Sequence, residues 1–241
     1  MVARSCWLRQ ELVIGLAEAL ATAPDAVTGT DRYRDDVLAI ADYVAASSAN
    51  RDDIDTVVRE QAVPALIRFA MKEGGDNRHG WGSTRGEFDA FGEDIFLRAA
   101  VNYGGLWLNM PSEVVYYVGM TDNDGEFLHG DSVTTIHYTA DDLPDKHVDA
   151  YWSLTMLGLP DYRVVPNPLE RYNLNNVSDL TYGDDGSLTL YLSATYPEGA
   201  PESNWLPAPA GKRYSLNHRF YVPKHEVISG DWYAAPLVKQ T

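Results

Sequence analysis

The chain predicts an α+β protein in which an N-terminal helical segment packs on a C-terminal antiparallel β-sandwich, jelly-roll-like in its succession of hairpins. Three observations carry this expectation. The apolar residues of the first hundred positions recur at helical spacing, the period changes to two after Pro111, and the strands so marked follow one another with turns and no helical pattern between them. The expected organisation is a helical segment over 1–75, a linker with a further helix over 76–110, and the sandwich over 111–241.

Leu8, Leu12, Leu16 and Leu20 form one apolar stripe, closed by Pro24. A second helix fits Asp35 to Ala46, with Val37, Leu38, Ala41, Val44 and Ala45 inward and acids in its first turn. A third follows Asn50, read as its N-cap, with Asp52, Asp53 and Asp55 where the helix dipole favours negative charge, and Pro64 kinks or divides it. The run Gly74-Gly75-Asp76-Asn77-Arg78-His79-Gly80-Trp81-Gly82 is too rich in glycine for a regular element and reads as a linker or a functional loop. Phe88, Phe91, Ile95 and Ala99 then mark a fourth helix that stops at Gly104-Gly105.

Beyond Pro111, Asn123-Asp124-Gly125 and Asp184-Asp185-Gly186 are turn signals, because Asn, Asp and Gly accept the positive φ that hairpin turns require. Leu188, Leu190 and Leu192 alternate with Ser187, Thr189 and Tyr191. Leu216, Phe220 and Val222 alternate with Ser215, Asn217, Arg219 and Tyr221, and Trp152, Leu154 and Met156 with Tyr151, Ser153 and Thr155. Each strand therefore has one apolar and one polar face.

The 241 residues suffice for a sizeable core, and the formal charge of −16 disfavours nucleic-acid or anionic-membrane partners, which demand clustered Lys and Arg. Cys6 is the single cysteine, so no intrachain disulfide forms, and its place beside Trp7 suggests neither a base nor a lowered pKa. No stretch approaches the roughly 20 apolar residues of a membrane span. Gln10 and Glu11 interrupt what would be a signal-peptide core, so a cytoplasmic location is expected.

The second half carries a set of words: Glu113 and Tyr117, Asp122 to Gly125 with Leu128 and Gly130, Trp152-Ser153-Leu154-Thr155, Asn167-Pro168 with Arg171-Tyr172, and Asp185-Gly186-Ser187. After them come Asn204-Trp205-Leu206-Pro207-Ala208-Pro209, Arg219 with Tyr221 and Pro223, and Gly230 with Trp232 and Pro236. From about Glu113 to Pro236 the chain resembles the domain of unknown function 1214 family, often fused to a companion, domain of unknown function 1254. The resemblance implies a β-sandwich of the kind seen in glycopeptide amidases with a helical element against it, and it implies no agreed reaction. The chain departs from the pattern where Val133-Thr134 stands in place of an Arg-Tyr pair, and in that the companion domain is either missing or reduced to the helices before Gly74.

The polar strand faces are where a site assembles. Tyr151, Ser153, Arg219 and Tyr221 share one parity and line a polar cleft if their strands are neighbours, with Arg219 receiving a carboxylate and the tyrosines offering rings and hydroxyls. The bland alternative is a solvated sheet face. Trp205, in a loop stiffened by Pro207 and Pro209, is either a stacking platform for a sugar or a plug at one end of the sandwich, with Asn204 tying loop backbone; Arg171 likewise fits a bridge between loop carbonyls. His79, His129, His137, His147, His218 and His225 show no metal-ligand spacing, and His137, with Tyr151 and Tyr221, is the candidate for acid-base chemistry. Asp122 to Glu126 matches only half a calcium loop and reads as a turn, and Asp141-Asp142 with Asp145 as a solvated run. The expected activity is binding of a small polar or carbohydrate-like ligand, with a cofactor-independent hydrolase or lyase in the same cleft as the alternative; no cofactor or metal is expected.

Overall fold

A computed structural model describes residues 33–69, 75–84, 88, 91–92, 94–104 and 108–240. The expected Leu8 to Leu20 helix lies outside the described residues. The chain divides into two compact units: residues 1–74 with 87–108, and residues 75–86 with 109–241.

In the first unit α1 spans Arg34–Ala46 and buries Ala41 and Val44, with Asp35 and Asp36 in its first turn; Ala45, expected inward, is exposed. Helix α2, Ser48–Val57, starts two residues before the expected cap. Ser47 is the cap, its hydroxyl accepting from the Asn50 N–H, and the Asn50 amide instead reaches back to the Tyr43 carbonyl. A π-helical turn at Val58–Ala62 joins α2 to α3, Val63–Arg68, which places Pro64 in a first turn where its missing N–H costs little. The proline thus divides the helix without breaking the run. Asp94 caps α4, Ile95–Gly104, through the Leu97 N–H at 2.9 Å, and Phe69 meets Phe96 edge to face. Phe88 and Phe91 precede α4 rather than sit on it.

The second unit contains two sheets. One has seven strands: β1 (Gly75–Arg78), β2 (Trp81–Thr84), β3 (Val114–Gly119), β5 (Val148–Gly158), β6 (Arg163–Val164), β7 (Asn173–Asn175) and β10 (Tyr214–Pro223). It runs in the order β1-β2-β3-β10-β5-β6, with β7 also on β5, and all its pairs are antiparallel. The other has four, β4 (Thr134–Tyr138), β8 (Leu188–Ser193), β9 (Trp205–Pro207) and β11 (Val238–Lys239), in the order β11-β4-β8-β9. Its β8–β9 pair is parallel over three residues, a departure from the wholly antiparallel expectation; the crossover between them holds a 3-10 turn, Glu202–Asn204, and no α-helix.

The glycine-rich run, expected to be a linker or a functional loop, is the β1–β2 hairpin, which belongs to the second unit. Gly80 and His79 take positive φ at its tip, and a Cβ on Gly80 would stand 2.5 Å from the Thr121 carbonyl oxygen. Glycine here supplies a turn and a close approach, which is why a strand survives the composition.

Both sheets turn their apolar faces into one core. Trp152, Leu154, Leu188, Leu190, Leu216 and Phe220, all expected inward, have no exposed surface, and Trp81, Tyr117, Ile136, Tyr138, Leu192 and Leu206 join them. At about 25 cal/mol per Å² such burial is the main stabilising contribution. Val222 breaks the expected alternation: a bulge between Tyr221 and Pro223 turns it out, half exposed, at φ +49°. The C-terminal stretch straps the layers together. Trp81 Nε1 donates to the Ala235 carbonyl at 2.8 Å, the Leu237 N–H to His79, the Asn123 N–H to Leu237, and β11 pairs with β4.

Candidate functional site

The register of the seven-stranded sheet brings the expected polar residues side by side. Arg219 of β10 is flanked across the ladder by Tyr116 of β3 and Ser153 of β5, and Ser153 in turn by Asn175 of β7. One step along, Val118, Asn217, Thr155 and Asn173 form a parallel row. On the other side Tyr221 stands opposite both Val114 and Tyr151, with the two phenol rings 5.4 Å apart and inclined at 57°. The pleat places all of these on the face away from the core. Tyr116, which sequence reasoning left out, joins only because β3 pairs with β10, a long-range choice that no local signal announces.

The partners are uneven across this face. The Tyr116 hydroxyl donates to Asn109 Oδ1 at 2.8 Å, and the Asn175 amide donates to Asn173 Oδ1 at 2.7 Å. Ser153 is 5% exposed, and Asn217 Oδ1 and the Ser215 hydroxyl are buried without a hydrogen-bond partner among the described residues. Among the described residues the half-buried Arg219 guanidinium likewise has neither hydrogen bond nor ion pair. Burial raises the Tyr116 and Tyr151 phenols above their ordinary pKa; Tyr221 adds to the rise in both, and Arg219 opposes it. Both shifts run in the same direction. The face can therefore hold polar groups through a guanidinium, hydroxyls and amides, and among the described residues the two resolved shifts are not a pair pushed to opposite protonation states. Glu113, hydrogen-bonded to the Asn109 amide, is the carboxylate at its margin.

Trp205 and His137 are not brought to this face. Both lie on the outward side of the four-stranded sheet, where Trp205 is paired with Tyr191 and His137 with Thr189. The Trp205 indole donates to the Ser193 carbonyl at 3.0 Å and meets Tyr196 edge to face, the contacts of a plug. Arg171 donates to the carbonyls of Glu202 and Trp205, and Asn204 bonds Thr181 on both backbone atoms and the Thr189 carbonyl, so this loop is held by its own polar side chains. His137 shares a 2.9 Å bond with the Thr189 hydroxyl. Asp122 Oδ1 is occupied by the N–H groups of Asp124 and Glu126, which makes its loop a turn.

Two histidines behave in ways that spacing did not reveal. His218 is fully buried among Trp81, Trp152, Tyr138 and Phe220, and burial lowers its pKa to about 3. His147 bridges Asp142 at 2.9 Å through Nε2 and Glu226 at 3.2 Å through Nδ1, stacks on Trp232 at 4.2 Å, and Trp232 Nε1 donates to the same Asp142 oxygen. Asp142, expected in a solvated run, is thus a structural acceptor for two elements. Among the described residues no group of His, Cys, Asp and Glu is arranged to hold a metal ion, and no helix is long and apolar enough to cross a membrane. In the first unit a groove of about 460 Å³ is lined by Phe88, Phe91, Ile95 and Leu108 with Arg98 and Asn102.

The sandwich, its Trp152-Ser153-Leu154-Thr155 strand and its Asn204 loop stand where the sequence words fall. Residues 113–225 match the family described as Protein of unknown function (DUF1214). The DUF1214 match covers β3 to β10 and the first residue of α5, His225–Ser229, and therefore all of the polar face except its continuation through β2. The VPA0106 protein from Vibrio parahaemolyticus has a similar fold, with a TM-score of 0.56 at 20% identity over 88% of this chain and 51% of that one. An uncharacterized protein from Burkholderia cenocepacia aligns at a TM-score of 0.33 and 12% identity, over 92% of this chain and 50% of that one. The chain thus spans about half the length of these solved structures. No curated protein matches it.

Proposed function

We propose that the DUF1214 sandwich binds a small polar, carbohydrate-like ligand on the outward face of its seven-stranded sheet, with Tyr151, Ser153, Arg219 and Tyr221 as contacts and Tyr116, Thr155 and Asn217 beside them. The observation that carries this is the row Tyr116, Arg219, Ser153, Asn175, four polar side chains from four strands aligned on one face with the guanidinium unpartnered among the described residues. A buried or half-buried polar group without a protein partner is costly, and a ligand with matching polarity offsets that cost. Binding is favoured over hydrolysis or lyase chemistry because the two phenols with resolved shifts, Tyr116 and Tyr151, are both raised, further from the neutral range in which a general base works. The net charge of −16 fits this reading better than a nucleic-acid or membrane partner.

A thermal-shift screen over sugars, polyols and carboxylic acids tests it. A compound from the panel should raise the melting temperature of the protein and fail to do so for Tyr151→Ala, which removes one wall of the face. If the panel yields turnover with bond cleavage, the enzymatic reading replaces it, and if Tyr151→Ala and Asn217→Leu leave binding intact, the ligand sits elsewhere.

A further inference from the structure

Resting on that binding reading, we infer that the ligand group met at the centre of the face is a carboxylate borne by a hydroxylated molecule, a sugar acid rather than a neutral sugar or a phosphate. Arg219 lies on β10, between β3 and β5, with Tyr116 on one side and Ser153 on the other. Its planar fork presents two parallel N–H donors, the geometry that a carboxylate accepts bidentately. Among the described residues no acid neutralises it.

The chemistry around it discriminates between anions. A phosphate carries up to two charges and is held by several cations or a row of backbone N–H groups. Here the neighbours of Arg219 across the ladder and two residues along the strand are Tyr116, Ser153, Asn217 and Tyr221, none of them cationic, in a protein whose overall charge repels polyanions. A monoanion is what one guanidinium compensates. Ser153 beside Arg219, and Thr155, Asn217 and Asn173 in the next row, offer hydroxyl and amide groups matched to the alcohols of a sugar ring, and the inclined Tyr151–Tyr221 pair gives its apolar C–H face a wall.

The experiment is titration calorimetry with D-glucuronate and D-galacturonate against D-glucose, D-galactose and inorganic phosphate, on the wild type, Arg219→Met, Arg219→Lys and Tyr151→Ala. Arg219→Met keeps the apolar stem, Arg219→Lys keeps the charge without the fork, and thermal unfolding confirms that each variant is folded. The expected result is that a uronate binds, that neutral sugars bind at least tenfold more weakly, and that Arg219→Met loses tenfold or more of uronate affinity, with Arg219→Lys between. Neutral sugars binding as tightly as uronates, with Arg219→Met unchanged and Tyr151→Ala impaired, overturns the carboxylate while leaving the binding face. Phosphate competing at equal or better affinity overturns it in favour of another anion. Uronate binding that survives both Arg219→Met and Tyr151→Ala removes the face itself, and no binding by any of the five compounds overturns the sugar-acid assignment.

Discussion

His218 and Arg219 are chain neighbours that the pleat of β10 sends to opposite sides of the same sheet: the imidazole goes into an aromatic enclosure with its rings 4.5 to 6.3 Å from Phe220, Trp152, Trp81 and Tyr138, and the guanidinium to the polar face. A histidine and an arginine adjacent in sequence thus belong to different problems, core stability and ligand capture.

The buried imidazole gives the protein an acid-sensitive core. Burial holds the folded-state pKa of His218 near 3, while the unfolded chain takes a proton near the ordinary value of about 6.5. Stability contributed by the neutral ring is complete above that ordinary value and is lost as pH falls towards 3, at a slope of about 1.4 kcal/mol per pH unit. Urea unfolding at pH 7, 6, 5 and 4 should show this slope in the wild type and its loss in His218→Phe. Glu226 contributes separately and lower: its carboxyl lies below the ordinary value, chiefly through its own backbone N–H and then through His147, so its share survives until the carboxylate range is entered. Equal slopes in wild type and variant would mean that the ring is not sealed from water.

Trp152 is the keystone of the inner face, fully buried beside Phe220 and His218. Trp152→Ala should cost about 3 to 5 kcal/mol through lost burial and the cavity left behind. Chemical denaturation showing less than about 1 kcal/mol would indicate that the core closes over the gap or is assigned to the wrong side.

Val222 holds a left-handed backbone that a β-branched side chain disfavours, and it is half exposed, so little packing is lost by replacing it. Val222→Asn should stabilise the fold by about 1 kcal/mol, read as a higher urea midpoint with an unchanged slope. A loss of stability would show that the valine methyls matter more than the φ they resist. The strain sits one residue from Tyr221, where the bulge sets the aim of that ring, and the same variant should therefore alter ligand affinity if Tyr221 is a contact.

Period and parity were enough to read the helix Arg34–Ala46, the inward set on β5, β8 and β10, and the shared face of Tyr151, Ser153, Arg219 and Tyr221, because these depend on local geometry alone. Strand partners were not readable in the same way. That β3 lies beside β10 and brings Tyr116, or that Trp205 and His137 belong to the other sheet, depends on the pairings of Arg219 with Tyr116, His137 with Thr189 and Trp205 with Tyr191, about which local spacing holds no information. The β1–β2 hairpin was missed for a different reason: glycine weakens a strand locally, but Gly80 and Gly82 stand where backbones and the Asn77 side chain come too close for a Cβ. The His147 bridge between Asp142 and Glu226 spans two turns that only the tertiary fold brings together.

The strap formed by the last residues changes what counts as the smallest piece of this protein. A fragment cut at residues 113 and 225, the limits of the family match, would lose Trp81, Trp232, Ala234 and Leu237 from the core, and with them β1, β2 and β11. Both β3 and β4 would then present an open edge of unpaired N–H and C=O groups, the template on which chains add to one another. Homology bounds and foldable bounds differ here by a hairpin on one side and a tail on the other. Any excision intended to carry the polar face alone must keep residues 75–84 and 226–240, or it will yield fibres and inclusion bodies where a binding domain was wanted.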